Sequence, residues 1–314
     1  MLQVAGLVIP LFGVILLGFI AGKLKNFPLE GLAWMNFFIL YIALPALFFR
    51  LLAKTPIHEF ANAGFLVSTT LGTLSVFLLC FLIAKYVRKS TIGIATIQGF
   101  AGAYGNIGYM GPPLAIAAFG PQAGVPVALI FCIDNAMHFT LAPTLMALDQ
   151  DKRQALLPLL GGILKSIFTH PFIVATIIGI AAAALQYQPP AVLDQLLLSL
   201  SSAAAPSALF VMGVTAALRP LNRVPAELWY LLPVKLILHP LIIYLLLKQI
   251  PDLDPVWLYS AVLLAALPCA TNVFVIAQHY QVWEQRASSA VVIATVLSIL
   301  TVTSYLYLAT SNMI

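Results

Sequence analysis

Charged residues are scarce in this chain: only 8% of its 314 residues are Asp, Glu, Lys or Arg. Hydrophobic residues make up 62% of the sequence, and the mean hydropathy is +1.03. A soluble domain of this length could not cover its surface with so few charges, because charged side chains in soluble proteins are mostly exposed to water. The scarcity therefore excludes a soluble protein and predicts a polytopic membrane protein embedded in a lipid bilayer.

Cysteines and catalytic motifs are scarce as well. The three cysteines, Cys80, Cys132 and Cys269, lie in separate apolar segments, which is typical of packing residues and not of a disulfide framework or a metal site. The sequence has no His-Glu-x-x-His pattern, no Gly-x-Ser-x-Gly pattern and no paired transmembrane aspartates. We therefore expect no enzymatic activity, no metal and no cofactor.

Apolar stretches of about twenty residues, the length that crosses roughly 30 Å of hydrocarbon, occur ten times along the chain. They lie near 3–23, 30–52, 62–86, 92–119, 124–148, 159–185, 194–218, 227–248, 256–280 and 286–309. The connections between them are short, so that no soluble domain fits between the spans. The sequence therefore predicts an all-α protein with ten transmembrane helices.

The two halves of the chain partly repeat at an offset of 161 residues, which aligns Pro10 with Pro171 and Pro45 with Pro206. Each half contains five spans, and an odd number of crossings makes the second half enter the membrane from the opposite side. We therefore predict two inverted five-helix repeats, 1–148 and 159–314, joined by a cytoplasmic connector over 149–158. Inverted repeats with broken helices are the plan of alternating-access transporters.

The basic residues favour one orientation of this plan. Eleven of the 15 lysines and arginines, among them Arg88 and Arg286, fall at one set of alternate connections, whereas the opposite set has only Arg50, Lys54 and Lys248. The positive-inside rule then places both termini outside the cell (inner) membrane. Cytoplasmic loops that face anionic lipid account for the net charge of +5, so we expect no nucleic-acid partner.

Two of the spans contain residues that interrupt helices. They are Gly105, Asn106, Gly111, Pro112 and Pro113 in the fourth span, and Pro268, Thr271 and Asn272 in the ninth. Proline removes an amide donor and glycine lowers the cost of irregular backbone, which survives at membrane depth only where protein or water satisfies it. We therefore predict that helices four and nine cross and are broken at Gly111, Pro112, Pro113 and Pro268. A pair of continuous, proline-kinked helices is the alternative.

Crossed half-helices would present free amides and positive dipole ends near the bilayer midplane, which suits an anionic group such as a carboxylate. We interpret Asn106 and Asn272 as neutral hydrogen-bonding ligands of that anion. We place Gly105, Thr271 and Asn135 in the same substrate site. For each of the two ligand asparagines, capping of its own half-helix is the alternative interpretation.

Three ionisable residues inside the predicted spans are candidates for a role in transport. Asp134 is mid-span in the fifth helix with His138 one turn further on, and Lys235 is about eight residues into the eighth helix. Charges at this depth are costly and mark function by default, so all three are candidates for proton coupling. Alternatively, Asp134 and His138 line the substrate pocket or hydrogen-bond within the scaffold. Lys235 could also neutralise Asp134, attract the anion, or snorkel to the cytoplasmic interface.

Four stretches, 36–49, 105–114, 235–240 and 267–277, resemble the auxin efflux carrier (PIN-like) family in its bacterial form. The resemblance covers essentially the whole chain and implies a fold like that of sodium/proton antiporters, with crossing helices four and nine and export of organic anions. Plant members carry auxin, and bacterial members are associated with malate or malonate. Asn106, Pro113 and Pro268 match family positions, whereas Phe48 stands where plant carriers have a serine ligand, which argues against auxin. The related carriers work as dimers, which implies a homodimer.

The sequence therefore predicts a secondary active or facilitative transporter that exports a small organic anion, such as malate, malonate or an auxin-like acid, by alternating access. A sodium-coupled organic anion symporter of bile-acid-transporter type is an alternative function, because it shares the inverted plan and the crossed helices. A membrane sensor or channel is another. Two driving forces are compatible with the sequence: the membrane potential, and proton coupling through Asp134.

Overall fold

The computed structural model describes residues 2–25, 28–149, 156–219 and 224–311, and these residues are helical over most of each of the ten predicted segments. The main helices are α1 Leu2–Lys25, α2 Ala33–Ala53, α3 Ala63–Leu82, α4 Ile92–Ala103, α5 Ile107–Phe119, α6 Gly124–Asp149, α7 Leu156–Phe168, α8 Pro171–Ala184, α9 Ala191–Leu218, α10 Leu228–Leu247, α11 Pro255–Ala266, α12 Thr271–His279 and α13 Glu284–Thr310. Most of the predicted connector 149–158, with Lys152 and Arg153, and the predicted cytoplasmic residue Arg223 lie outside the described residues.

Six helical segments of the described chain are long and apolar enough to cross a membrane: Ala33–Ala53, Ile57–Val87, Pro121–Asp149, Ala191–Leu218, Leu228–Leu247 and Glu284–Thr310. A seventh results if the bent pair α7 and α8 is one span. Three further helices, α4, α5 and α11, are apolar but shorter. The protein is therefore an all-helical membrane protein with six or seven candidate spans and additional short apolar helices.

The predicted span over 159–185 consists of two helices on either side of a bend. The chain bends by 60° between α7 and α8, and His170 at the bend has an extended backbone with φ −70° and ψ 126°. Pro171 begins α8, and a residue that precedes proline is pushed out of the helical region by the proline ring. The break therefore follows from Pro171, which the sequence displays in the middle of the apolar run.

The predicted break at Gly111, Pro112 and Pro113 is wrong in position. These three residues lie inside α5, and the interruption falls at 104–106 instead. Each proline removes one amide donor, but its neighbours keep helical backbone. Tyr104 leaves the helix with φ −77° and ψ 104°, because its carbonyl is bonded elsewhere, as the site geometry shows. Pro268 lies in the interruption between α11 and α12, at the predicted position.

The core consists of two buried clusters that meet at these interruptions. One cluster contains residues of α5, α6 and α11, and the other contains residues of α3, α4, α12 and α13. Each interrupted helix therefore has one half in each cluster, and the first half of one helix packs with the second half of the other. This is the arrangement expected of two helices that cross in opposite directions.

Helices α1 and α9 pack unusually closely. A Cβ atom on Gly213 would lie 1.9 Å from the carbonyl oxygen of Ile15, and one on Gly18 would lie 2.1 Å from the carbonyl oxygen of Phe210. At the opposite end of α9, the Arg50 Nε donates to Asp194 Oδ1 at 2.8 Å and joins α2 to α9. The position of α9, which reaches the interruptions, is thus set by both neighbours.

Candidate functional site

The two interruptions are hydrogen-bonded to each other through the backbone. The Asn106 amide donates to the Pro268 carbonyl at 2.8 Å, and the Ala270 amide donates to the Tyr104 carbonyl at 2.8 Å, around a bridge between Gly105 and Cys269. We call 104–106 and 268–270 the paired breaks. Asn106 and Ala270 are the N-cap residues of α5 and α12, so each helix start is satisfied by the other break.

These two bonds are related by a local two-fold axis. The axis relates residues that are 164 positions apart, as Ala270 is from Asn106 and Pro268 is from Tyr104. The predicted offset of 161 therefore does not hold at the breaks, where the second half is three residues longer. In the local register Asn272 corresponds to Gly108, so the two predicted ligands occupy different positions at their helix starts.

The Asn106 side chain does not cap its own helix. It is buried, makes no cap hydrogen bond, and its Nδ2 donates to the Met212 sulfur of α9 at 3.3 Å. Sulfur is a weak acceptor, so a carboxamide held in this way can exchange Met212 for a stronger acceptor. The capping alternative is therefore absent from the structure, and the side chain extends across the site toward α9.

Asn272 and Asn135 belong to one hydrogen-bonded chain through Tyr104. The Asn272 Nδ2 donates to the Tyr104 hydroxyl at 3.2 Å, this hydroxyl donates to Asn135 Oδ1 at 2.7 Å, and the Asn135 Nδ2 donates to the Phe131 carbonyl at 2.7 Å. The chain joins α12, the first break and α6. Sequence reasoning missed Tyr104, although its place directly before Gly105 and Asn106 was a usable signal.

A cavity of about 40 Å³ lies at the paired breaks. Its lining includes the predicted residues Gly105, Asn106 and Asn272, but neither Thr271 nor Asn135. Tyr109 and His170 also line it, and the sequence analysis did not select either residue. The volume holds roughly two or three water molecules. A larger cavity of about 440 Å³, lined by His138, His279 and residues of α6, α7 and α12, lies beyond it.

Lys235 is buried behind the paired breaks and does not snorkel, so that alternative is wrong. The side chain is 1% exposed, its Nζ donates to the Ala265 carbonyl at 2.7 Å, and it lies 3.0 Å from His239 Nδ1. A π-helical turn, Val234–Leu238, carries it within α10. Such turns are frequent at functional sites.

Asp134 lies near this lysine, but the two do not form an ion pair within 4.0 Å in the described part of the chain. Asp134 instead lines a cavity of about 10 Å³ with Thr69, Thr73 and His239, and this cavity shares Gly105 with the one that Asn106 lines. Among the described residues, the side chains of Asp134 and His138 are not hydrogen-bonded to each other.

The helix ends around the breaks create an electrostatic pattern. Helices α5 and α12 begin at the breaks and direct positive dipole ends and first-turn amides to the cavity that Asn106 lines. Helices α4 and α11 end there, and their negative ends face the Lys235 ammonium, which a Cβ on Gly105 would approach to 3.3 Å. The cavity can therefore attract an anion while the lysine offsets the carbonyl ends.

An all-helical membrane protein whose buried polar groups meet at two interrupted helices has the features of a membrane transporter. The chain matches the family described as Membrane transport protein over residues 3–306, and it belongs to that family. This confirms the resemblance to auxin efflux carriers, and the protein is a transporter and not an enzyme.

Two relatives match over nearly the whole chain. The "Putative malonate transporter" of Rhizobium meliloti (strain 1021) is 52% identical over 312 residues, which cover 99% of this chain and 98% of the relative. The "Uncharacterized transporter YfdV" of Escherichia coli (strain K12) is 25% identical over 315 residues, with 97% of both chains covered. The similarity therefore includes both interrupted helices and the residues between them.

Proposed function

We propose that this protein exports a small carboxylate, of which malonate is the first candidate and malate the second, by alternating access at the paired breaks. The observation that carries the proposal is the reciprocal bonding of the Asn106 and Ala270 amides to the opposite break. It holds two helix N-termini together inside a buried region, and paired helix N-termini bind carboxylates well. The name of the Rhizobium meliloti relative favours malonate among the carboxylates.

The architecture that fits this function is the ten-span plan with inverted repeats 1–148 and 159–314. The local two-fold axis at the breaks and the distribution of the half-helices between the two cores both support it. In this plan α4 and α5 together cross once, as do α7 with α8 and α11 with α12. Both termini then lie outside the cell membrane, and two copies of the chain associate as a homodimer.

Within the site, the anion replaces weak internal partners. Asn106 exchanges the Met212 sulfur for a carboxylate oxygen, and the amides of α5 and α12 next to Gly105 and Thr271 supply further donors. Asn272 and Asn135 orient these donors through Tyr104. Because the cavity of about 40 Å³ is too small for an organic anion, binding requires the surrounding helices to separate. This separation is the alternating step.

The buried charges behind the breaks suit proton coupling. Lys235 is bonded to Ala265 and His239, so the Asp134 carboxyl has no cation within 4.0 Å in the described chain and is the group to carry the proton. Beside Asp134, the His239 ring is within hydrogen-bond distance of both Thr73 and Lys235, so these three side chains form one bonded group. His138 lines the larger cavity. Uptake measured with and without a pH gradient distinguishes proton coupling from transport driven by the membrane potential.

The test is uptake of labelled malonate, malate and indole-acetate into proteoliposomes, with and without a pH gradient and with sodium or potassium as the cation. Asn106→Asp keeps the shape of the side chain but places a negative charge in the anion site, and should lower uptake by about tenfold or more. The matched control is Asn62→Asp, because Asn62 caps α3 through the Phe65 amide and aspartate caps equally well. Equal uptake by both variants would reject the site, and a strict sodium requirement would favour the symporter.

A further inference from the structure

Arg219 is a buried cation that has no acidic partner among the described residues. The residue directly follows α9 and is 7% exposed, and its Nε and Nη1 have no hydrogen-bond partner in the described part of the chain. Among the same residues, Arg50 and Arg286 each form an ion pair, with Asp194 and Glu227, whereas Arg219 forms none. Burial of an unpaired guanidinium is strongly unfavourable, which indicates that a ligand completes the site.

Helix α9 brings Arg219 next to the start of α12. Met212, which accepts the hydrogen bond of Asn106, lies seven residues earlier and therefore on the same helical face. The guanidinium carbon of Arg219 lies 4.1 Å from the ring centre of Phe274, two residues after Asn272 in the first turn of α12. The guanidinium thus packs against the first turn of α12, which begins directly after the second break.

We propose that Arg219 binds the second carboxylate of the transported anion and thereby selects dicarboxylates over monocarboxylates. The inference rests on the proposed function and names the group that recognises the far end of its substrate. One carboxylate binds Asn106 and the helix amides, and the other accepts from the free Nε and Nη1 of Arg219. The guanidinium packs on the Phe274 ring, which leaves its N–H donors free. These donors lie in the plane of the guanidinium and are spaced to bind both oxygens of a carboxylate.

The charges balance for a dicarboxylate and not for a monocarboxylate. Two helix N-termini contribute about half a positive charge each, and Arg219 contributes a full one. A dianion is therefore neutralised within the site. A monocarboxylate leaves Arg219 buried and unpaired, and a site that has to leave a buried polar group without its partner discriminates strongly against that ligand.

The experiment compares uptake of labelled malonate and labelled propionate into proteoliposomes by the parent protein, R219Q, R219K and R88Q. Arg88 is an exposed arginine and is the matched control. R219Q should raise the KM for malonate about tenfold or more while propionate uptake changes less than about twofold. R219K keeps the charge but cannot bind a carboxylate through two parallel hydrogen bonds, so its KM for malonate should lie between those of the parent and R219Q. The KM of R88Q should equal that of the parent. Malonate should also raise the melting temperature of the parent in detergent more than that of R219Q.

Each result bears on the inference. If the parent carries malonate and R219Q has the same ratio of malonate to propionate uptake as the parent, the role of Arg219 is overturned. The proposed function is then unaffected. A parent that carries neither acid rejects both. If R219Q fails to fold, R219K decides: an unchanged KM for malonate in R219K contradicts bidentate binding, and a raised KM with unaltered melting temperature supports it.

Discussion

The rings of Tyr104 and His138 stack with their centroids 3.7 Å apart and their planes inclined by 13°. Tyr104 lines the small cavity at the paired breaks, and His138 lines the larger cavity of about 440 Å³. The two rings therefore form a partition between the candidate substrate site and a wider space bordered by α6, α7 and α12.

The Tyr104 hydroxyl is expected to stabilise the paired breaks. Tyr104→Phe keeps the stack on His138 but removes the links to Asn135 and Asn272, each worth about 1 kcal/mol. The unfolding free energy should fall by about 2 to 3 kcal/mol, as measured by thermal unfolding in detergent, and malonate uptake should fall with it. The control is Tyr305→Phe, which loses a single bond to the Tyr259 carbonyl. Uptake equal to that of the parent in Tyr104→Phe would contradict the prediction.

Lys235 should hold the end of α11 in place. Lys235→Met removes the donor to the Ala265 carbonyl and the positive charge near two helix C-termini, which should cost about 2 to 4 kcal/mol. Lys248→Met at the end of α10 is the matched control, since Lys248 is exposed and its ammonium donates to the Tyr244 hydroxyl, a neighbour on the same helix. Melting temperatures of the two variants measure the difference. If the two variants melt alike, the ammonium does not support the break.

Close contact between α1 and α9 should make Gly213 intolerant of a side chain. Gly213→Ala would place a Cβ 1.9 Å from the Ile15 carbonyl oxygen, so the helices must separate, at a cost of about 2 kcal/mol or more. Gly13→Ala on α1 is the control, because a Cβ there meets nothing within 4 Å. Yield of folded protein after detergent extraction and the melting temperature report the loss. A stable Gly213→Ala variant would show that the contact is looser than the structure indicates.

The orientation can be tested with single cysteines. The three native cysteines are first changed to serine. Arg88→Cys or Gln122→Cys, both at exposed positions, then introduces a single thiol for labelling. By the positive-inside rule, an impermeant reagent added to intact cells should label position 122 and leave position 88 unlabelled until the membrane is opened. The reverse pattern would invert the proposed topology and place both termini in the cytoplasm.

Sequence reasoning found the residues of the candidate site more readily than their contacts. Asn106 and Asn272 stood out because asparagine is polar in an apolar span, and Gly105 because it belongs to a run of helix-interrupting residues; all three line the cavity. Tyr104 and Arg219 did not, because tyrosines and basic residues are common at the ends of spans. Their roles depend on contacts with Asn272 and Phe274, which lie far away along the chain.

The break positions show a similar limit. Prolines indicated that helices four and nine are interrupted, but α5 runs through Pro112 and Pro113 and begins only after Asn106. The loss of an amide donor at proline is a local effect of known size. The bonds from Asn106 to Pro268 and from Ala270 to Tyr104 join segments 164 residues apart, and these bonds decide where the helices stop.

Composition by itself determined that this protein is a membrane protein, because a chain with so few charges could not cover its surface in water, and apolar stretches of about twenty residues predicted its helices. Its motifs also determined the family. Only the tertiary structure decided which residues meet: that Lys235 is bonded behind the breaks, that Asp134 forms no ion pair with another described residue, and that Arg219 packs on the Phe274 ring. Local preferences act within a few residues, whereas these contacts join helices from opposite halves of the chain, and their energies depend on packing that no short segment contains.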